Sequence, residues 1–319
     1  MDNVTTWLLD ADPAIRWQVI RDLSDASAVE VGTERARVAE SGWGKQLLDL
    51  QADGQWAGGA CFPGREWRPP RQIVGDPDGQ PWTATLPTLR LLRDLGVDPA
   101  DPVVRAAVDG VREHSRWEYA GERFFDGEVE PCINGGVVAL GAYFGESVDG
   151  IVTRLLGEQL KDGGWNCEAE NGSTRSSFHS TICVLDGLLE YERAGGTQPV
   201  AQARTRAQEY LLARHLYRRA STGKVADPDW LQFSFPVQWH YDVLRGLDYF
   251  RSVGGAPDPR LAEAVGQVRD KQHSDGSWVL ENTHPGLAHF ELEDGDGNPS
   301  RWNTLRALRV LHWYDAAES

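Results

Sequence analysis

The sequence predicts an all-α fold in which an inner ring of helices is surrounded by an outer ring, an α/α toroid of about five to six helix pairs. Helical segments of two kinds alternate along the chain, and one pair of segments recurs about every 55 residues, as in proteins built from repeats. Alternating extended runs with hairpin turns are scarce, so little sheet is expected. The 319 residues are expected to form one domain, 1–319.

The first kind of segment is apolar on nearly every side, and a helix of that kind must be buried. These segments are predicted to form the inner ring: residues 83–94, 132–144, 179–191, 239–250 and 302–314, with an additional early member at 14–23.

The second kind of segment is amphipathic and is predicted to form the outer ring. In residues 259–272 the apolar side chains of Leu261, Val265 and Val268 form one stripe, and residues 102–116 show the same spacing. An Asp-Pro pair precedes both segments, and a third pair precedes the first predicted inner helix. Each pair is typical of a helix start, with Asp as the N-cap and Pro at the first helical position.

Three similar segments follow predicted outer helices: residues 51–56, 159–165 and 272–278. Each begins with Gln, contains Asp-Gly and ends in Trp. The Asp-Gly pair predicts a tight turn, so Trp165 and Trp278 are expected to fill the space before the next inner helix as structural residues.

This pattern resembles the Gln-x-x-x-Gly-x-Trp repeat of squalene and hopene cyclases, whose superfamily also contains the β subunits of protein prenyltransferases. Residues 159–165 and 272–278 match it fully, and residues 51–56 are one residue short. The resemblance implies an α/α toroid with a central cavity, and by itself it does not assign the chemistry.

Composition excludes several classes of partner. A net charge of -16 disfavours nucleic acid and anionic membrane surfaces. No apolar run reaches the ~20 residues of a transmembrane helix, and the N-terminus lacks the pattern of a signal peptide. The 4 cysteines are expected to be free thiols in a cytoplasmic protein. The 13 tryptophans indicate aromatic packing or a large aromatic cavity.

Loop lengths predict which end of the toroid is functional. Connections from outer to inner helices are long, at residues 61–81, 219–236 and 279–301, and loops of this length in a compact domain are usually functional. All three would lie on the rim that carries the N-termini of the inner helices. The residues at those helix starts are therefore predicted to contact a hydrophobic substrate: Trp82, Trp239, Trp302 and Arg301. For the three tryptophans, one packing position that recurs in each repeat is the alternative.

A candidate metal site lies at the starts of two consecutive inner helices. Glu130, Cys132 and His179 supply carboxylate, thiolate and imidazole, which all bind zinc, and three protein ligands leave one position open for catalysis. Cys167 is a candidate fourth ligand. Prenyltransferase β subunits resemble this arrangement, with Asp-x-Cys at one helix start and His at the next. This chain differs in having Glu130 and Pro131, and no basic cluster precedes Cys132.

Glu130 also belongs to a pattern that resembles the Asp-x-Asp-Asp of class II terpene cyclases, here residues 128–131 as Glu-Val-Glu-Pro. In those enzymes the middle acid protonates an alkene or epoxide, which implies that Glu130 acts as a general acid. Two further residues are candidate catalytic groups: His240, two residues before Asp242, and Glu291 in the last long loop.

Three functions follow from these observations. The first is an enzyme of the terpene-cyclase and prenyltransferase type, which cyclises, isomerises or transfers an isoprenoid-like or aromatic substrate with acid or zinc assistance. The second is a non-catalytic carrier of an apolar ligand. The third is a toroid subunit that docks a partner polypeptide. Zinc is the one cofactor predicted.

Overall fold

The computed structural model describes residues 3–317, and over that range the chain is predominantly helical. The thirteen α-helices of this range are α1 (Asn3–Leu9), α2 (Pro13–Asp22), α3 (Ala28–Glu40), α4 (Gly42–Asp49), α5 (Thr85–Leu95), α6 (Pro102–His114), α7 (Pro131–Phe144), α8 (Asp149–Gly157), α9 (Phe178–Arg193), α10 (Ala201–Leu212), α11 (Val243–Val253), α12 (Ala262–Asp270) and α13 (Arg301–Asp315). The predicted all-α class is confirmed.

Six of these helices form the inner ring: α2, α5, α7, α9, α11 and α13. Successive members from α5 to α13 contact one another, and α13 packs against α2. The ring closes between α2 and α5, where Trp17 Nε1 donates to the carbonyl of Leu95 at 2.9 Å and Gln18 Nε2 donates to that of Asp94 at 3.0 Å. The early segment 14–23 therefore supplies the sixth inner helix of the toroid.

The outer helices pack on this ring much as the amphipathic patterns predict. Helix α3 contacts α2, α8 contacts α7, α10 contacts α9, and α12 contacts both α11 and α13. The three Asp-Pro starts are capped as expected, because Asp12, Asp101 and Asp258 accept hydrogen bonds from the backbone N–H two residues later at 2.8–2.9 Å. Each cap satisfies a donor that the first helical turn leaves free.

The three Gln-to-Trp segments make the same contacts. Trp56, Trp165 and Trp278 are fully buried, and each indole Nε1 donates at 2.7 Å to a carbonyl of the preceding outer helix. Each tryptophan backbone N–H also donates to a threonine of the next inner helix: Thr85, Thr181 or Thr304. These tryptophans thus connect an outer helix to the following inner helix.

The three long loops meet on one rim. The strand β1 (Val74–Gly75) of the first loop pairs antiparallel with β3 (Leu287–Ala288) of the third. Within the third loop and its flanks, β2 (Trp278–Val279) pairs with β4 (Pro299–Ser300). Ser234 of the second loop forms a bridge with Asn282 of the third. The little sheet that exists in residues 3–317 therefore joins the loops above the inner-helix N-termini.

The inner helices differ from their prediction in two ways. They are not apolar on nearly every side, because α5, α11 and α13 bury arginines that face the interior of the ring, among them Arg90, Arg245 and Arg309. Helix α11 begins at Val243 rather than residue 239, because Asp242 caps it by accepting from Arg245 N at 2.7 Å. No helix within residues 3–317 has both the length and the apolar character needed to cross a bilayer.

Candidate functional site

A cavity of about 380 Å³ lies at the N-terminal ends of α5, α7 and α9, and it is called the rim cavity here. Most of its exposed surface is apolar, as in ligand sites generally, and about half of its lining residues carry polar groups. Five of the residues predicted from sequence line it: Trp82, Trp239, Glu130, Cys132 and His179. Cys167 lines it as well.

The structure brings Glu130 and Cys132 together with Cys167. The ligand atoms of the three residues lie within 4.8 Å of one another. The Sγ of Cys132 is 3.4 Å from Glu130 Oε2 and 2.9 Å from Cys167 Sγ. Glu130 is the N-cap residue of α7, Cys132 lies in the first turn of that helix, and Cys167 begins a short 3₁₀ turn (Cys167–Ala169) before α9.

The two thiols of this cluster differ in acidity. The Cys132–Cys167 hydrogen bond raises the pKa of Cys132, and burial raises it further. The same hydrogen bond lowers the pKa of Cys167, with a second contribution from the hydroxyl of Ser180 at 3.3 Å. Cys167 is therefore the thiol that ionises first, and a thiolate is the form that binds metals.

His179 lines the same cavity, but its ring nitrogens lie outside this group of ligand atoms. Its Nδ1 accepts the backbone N–H of Tyr241 at 2.9 Å, which places the ring proton on Nε2. Burial and the nearby charge of Arg245 lower the pKa of His179 to about 4. The imidazole is therefore neutral, with Nε2–H left as a donor.

Aromatic rings close one side of the rim cavity. Trp239 stacks on His240 with ring centroids 3.8 Å apart, and His240 stacks on His284 at 3.6 Å. The indole Nε1 of Trp239 donates to Gln80 Oε1 at 2.9 Å, which fixes the ring in the wall. Burial and the neighbouring His284 lower the pKa of His240 to about 3. His240 does not pair with Asp242, which caps α11 instead.

Glu291 belongs to a neighbouring cavity of about 250 Å³ beneath residues 280–295, called the loop cavity here. The two cavities share the side chain of Trp82 in their walls. Glu293, two residues after Glu291, caps α13 by accepting from Ser300 Oγ at 2.5 Å and Trp302 N at 3.1 Å. The structure thus separates Glu291 from the Glu130 cluster and gives Glu293 a capping role.

Trp302 and Arg301 lie away from the rim cavity. Trp302 stacks on Phe235 with centroids 4.2 Å apart and lines a third cavity on the other side of the ring interior. Arg301 lies over the ring of Trp7 at 4.8 Å and donates to the carbonyls of Trp7 and Asp10. Both residues connect the start of α13 to other parts of the chain, and their predicted substrate contacts stay predictions.

The third cavity, of about 280 Å³, lies inside the ring and is called the basal cavity here; the C-terminal halves of α2, α5 and α9 line it together with α11 and the N-terminal half of α13. Among the described residues that line it, arginines outnumber carboxylates by eight to four. Most of the charges are paired: Arg245 with Asp186 at 2.8 Å, Arg251 with Asp248 at 2.8 Å and Arg93 with Asp94 at 2.9 Å. Sequence reasoning missed this cavity, although a charged residue at every third or fourth position of an otherwise apolar helix is a signal for it.

Comparisons with known proteins give similarities to solved structures only. No protein-family model matches the sequence, and a search of curated proteins finds no significant match. The type II terpene cyclase MstE from Scytonema, in its apo form, is 16% identical over 99% of this chain and 87% of that chain, with a TM-score of 0.43. A variant of MstE in complex with its substrate, geranylgeranyl dihydroxybenzoate, is 15% identical over 97% and 86%, with a TM-score of 0.42. A protein from Actinoplanes is 17% identical over 90% and 99%, with a TM-score of 0.32.

Proposed function

We propose that this protein is an enzyme that transforms a small hydrophobic substrate, isoprenoid-like or aromatic, in the rim cavity with the assistance of zinc. The observation that carries the proposal is the cluster of Glu130, Cys132 and Cys167, whose ligand atoms lie within 4.8 Å of one another. This cluster lies in the wall of a cavity whose exposed surface is mostly apolar, although about half of its other lining residues are polar. A reactive polar group inside an apolar pocket is the usual arrangement of a small-molecule active site.

The residues of the cluster fit zinc by their chemistry. Two thiolates and one carboxylate are ligands that zinc prefers, and three protein ligands leave one coordination position for a substrate or water. The lowered pKa of Cys167 favours the thiolate that binding requires. Glu130 and Cys132 were predicted from the sequence as ligands of this metal, and Cys167 replaces His179 as the proposed third ligand.

The other residues of the cavity bind and orient the substrate. Trp82 and Trp239 offer flat apolar surfaces to an isoprenoid chain or an aromatic ring. The neutral His179 donates through Nε2–H to a polar atom of the substrate or holds a proton near it. Zinc, when bound, supplies Lewis acidity towards an oxygen of the substrate or acidifies a bound water.

Metal analysis of the purified protein tests this proposal. We expect about one zinc per chain in the wild type, lost in both Cys132→Ala and Cys167→Ala. His179→Ala is the matched control, because His179 lines the same cavity outside the ligand cluster, and it should keep the metal. A wild type that stays free of zinc after purification with added zinc contradicts the proposal. If that zinc-free protein binds farnesol and releases it unchanged, the carrier function takes its place.

A further inference from the structure

The rim cavity contains a buried positive charge with no partner. Arg90, in the second turn of α5, is 7% exposed and lines both the rim cavity and the basal cavity. Within residues 3–317 its guanidinium has no ion pair or hydrogen bond in the structure. A buried arginine is normally paired, because an unpaired charge in a protein interior is strongly unfavourable.

The surroundings of Arg90 make room for this guanidinium rather than neutralise it. A Cβ at Gly136 of α7 would collide with Arg90 Nη2, so the glycine at this position leaves the space that the side chain occupies. The carboxylates of Asp94 and Asp186 do not neutralise Arg90, because they already pair with Arg93 and Arg245. Burial is the main cause that lowers the pKa of Arg90; the charges of Arg245 and Arg93 also lower it, while Cys183 and Asp94 act in the opposite direction.

The carboxylates of the rim cavity do not pair with Arg90. Glu130 belongs to the thiol cluster, and Glu168 is exposed and hydrogen-bonded to Asn171 at 2.9 Å. Gly136 follows Cys132 by four residues on α7, so the guanidinium lies about 6 Å deeper along that helix than the thiol. The floor of the cavity therefore carries the unpaired cation, and the thiol cluster lies above it.

We infer that the ligand of the rim cavity is an amphipathic monocarboxylic acid, whose carboxylate pairs with Arg90 while its apolar body packs against Trp82, Leu86 and Ile133. A guanidinium binds a carboxylate through two parallel hydrogen bonds. Apart from the proposed zinc, the described wall holds one arginine and no lysine, so the floor of the cavity suits the single charge of a monocarboxylate better than a diphosphate. The inference rests on the proposed function and narrows its substrate class.

Calorimetric binding of three farnesyl compounds at neutral pH tests this inference. We expect farnesoic acid to bind the wild type at least about tenfold more tightly than farnesol, the scale of one charge-assisted hydrogen-bonded pair, and more tightly than farnesyl diphosphate. In Arg90→Gln the acid should lose this advantage while the affinity for farnesol changes little. Arg93→Gln is the matched control, because Arg93 lies on the same helix and lines the basal cavity but not the rim cavity, and it should keep the preference for the acid.

Thermal unfolding of the same variants separates a ligand-binding arginine from a structural one. Arg90→Gln should melt no lower than the wild type, because the substitution removes a buried charge that has no partner. Equal affinity of the wild type for acid and alcohol overturns the inference and leaves the proposed function intact. Retention of the acid preference in Arg90→Gln, or a melting temperature far below that of the wild type, also overturns it. Binding of none of the three compounds contradicts the proposed function as well.

Discussion

The rim cavity and the basal cavity lie within one ring of helices, yet their polar groups are arranged in opposite ways. At the base, charged side chains satisfy one another, as in the pairs Arg245–Asp186 and Arg251–Asp248. At the rim, three kinds of group can still form bonds to a ligand: the thiols of the Glu130 cluster, the Nε2–H of His179 and the guanidinium of Arg90. Polar groups that pair with one another stabilise the ring, whereas polar groups without a protein partner are available to a ligand. Substitutions at the base should therefore reduce stability, and those at the rim should reduce binding.

The largest loss of stability is expected from Trp165→Ala, at a position that lines neither cavity. The indole is fully buried and donates to Leu155 O at 2.7 Å, so the substitution should lower the free energy of unfolding by about 3–5 kcal/mol. Chemical denaturation measures the loss. Trp239→Ala is the control, because Trp239 is half-buried in the rim wall, and it should be clearly less destabilised. Equal losses would mean that the rim wall is a structural element too.

The next largest loss is expected at the base, from Arg245→Met. Arg245 pairs with Asp186 at 2.8 Å and donates to the carbonyls of Gln238 at 3.2 Å and His240 at 2.5 Å. Removal of one partner from a buried pair costs about 3 kcal/mol, at the lower end of the usual range because Asp186 keeps some solvent contact. Denaturation of this variant beside Arg90→Gln compares a paired with an unpaired arginine. Similar stabilities of the two variants would show that the arginines of the basal cavity and the rim cavity do not differ in their contribution to stability.

Sequence patterns predicted the fold well because helix burial and capping are local properties. Asp12, Asp101 and Asp258 signal helix starts within a few residues, and the tryptophans of the repeated turns signal where an outer helix gives way to an inner one. The start of α11 was misplaced because apolar residues before Asp242 extend the helical pattern beyond the cap.

The candidate site was predicted only in part because its geometry depends on distant segments. Glu130 and Cys132 are two residues apart, so their proximity follows from the sequence. The approach of Cys167 depends on how the turn before α9 folds back towards α7. Arg90 was read as part of an apolar helix, and the absence of a partner for it within residues 3–317 becomes visible only once the whole ring is assembled.

A loss of stability in acid should come from the rim side of the molecule. Burial lowers the pKa of His289, which lines the loop cavity, to about 4 from its ordinary value of 6.5. Below about pH 6.5 the unfolded chain therefore binds a proton that the folded chain does not, and stability falls until the pH reaches the folded pKa. Between neutral pH and about pH 5, His289 alone should lower the free energy of unfolding by about 2 kcal/mol.

Unfolding free energies measured from neutral pH to about pH 5 test this. His289→Gln should show a shallower loss than the wild type, and the exposed His114→Gln should keep the wild-type slope. The basal cavity contains no histidine among its described lining residues, so the comparison assigns this sensitivity to the rim side. Identical slopes for wild type and His289→Gln would show that the ring of His289 is not the group protected from protonation.

The smallest expected effect distinguishes two carboxylates at the start of α7. Glu128 Oε2 accepts the backbone N–H groups of Val129 at 2.5 Å and Glu130 at 2.9 Å, so its charge is used to hold the turn before the helix. The carboxylate of Glu130 makes one contact to a thiol at 3.4 Å and faces the rim cavity.

Glu128→Gln should therefore lower the free energy of unfolding by about 1 kcal/mol, since the replacement amide accepts more weakly than a carboxylate. Glu130→Gln should change it by less than about 0.5 kcal/mol and should weaken zinc binding. If Glu130→Gln is the less stable variant in the absence of zinc, the carboxylate of Glu130 is structural. The groups available to a ligand are then only those deeper in the cavity, the thiols and Arg90.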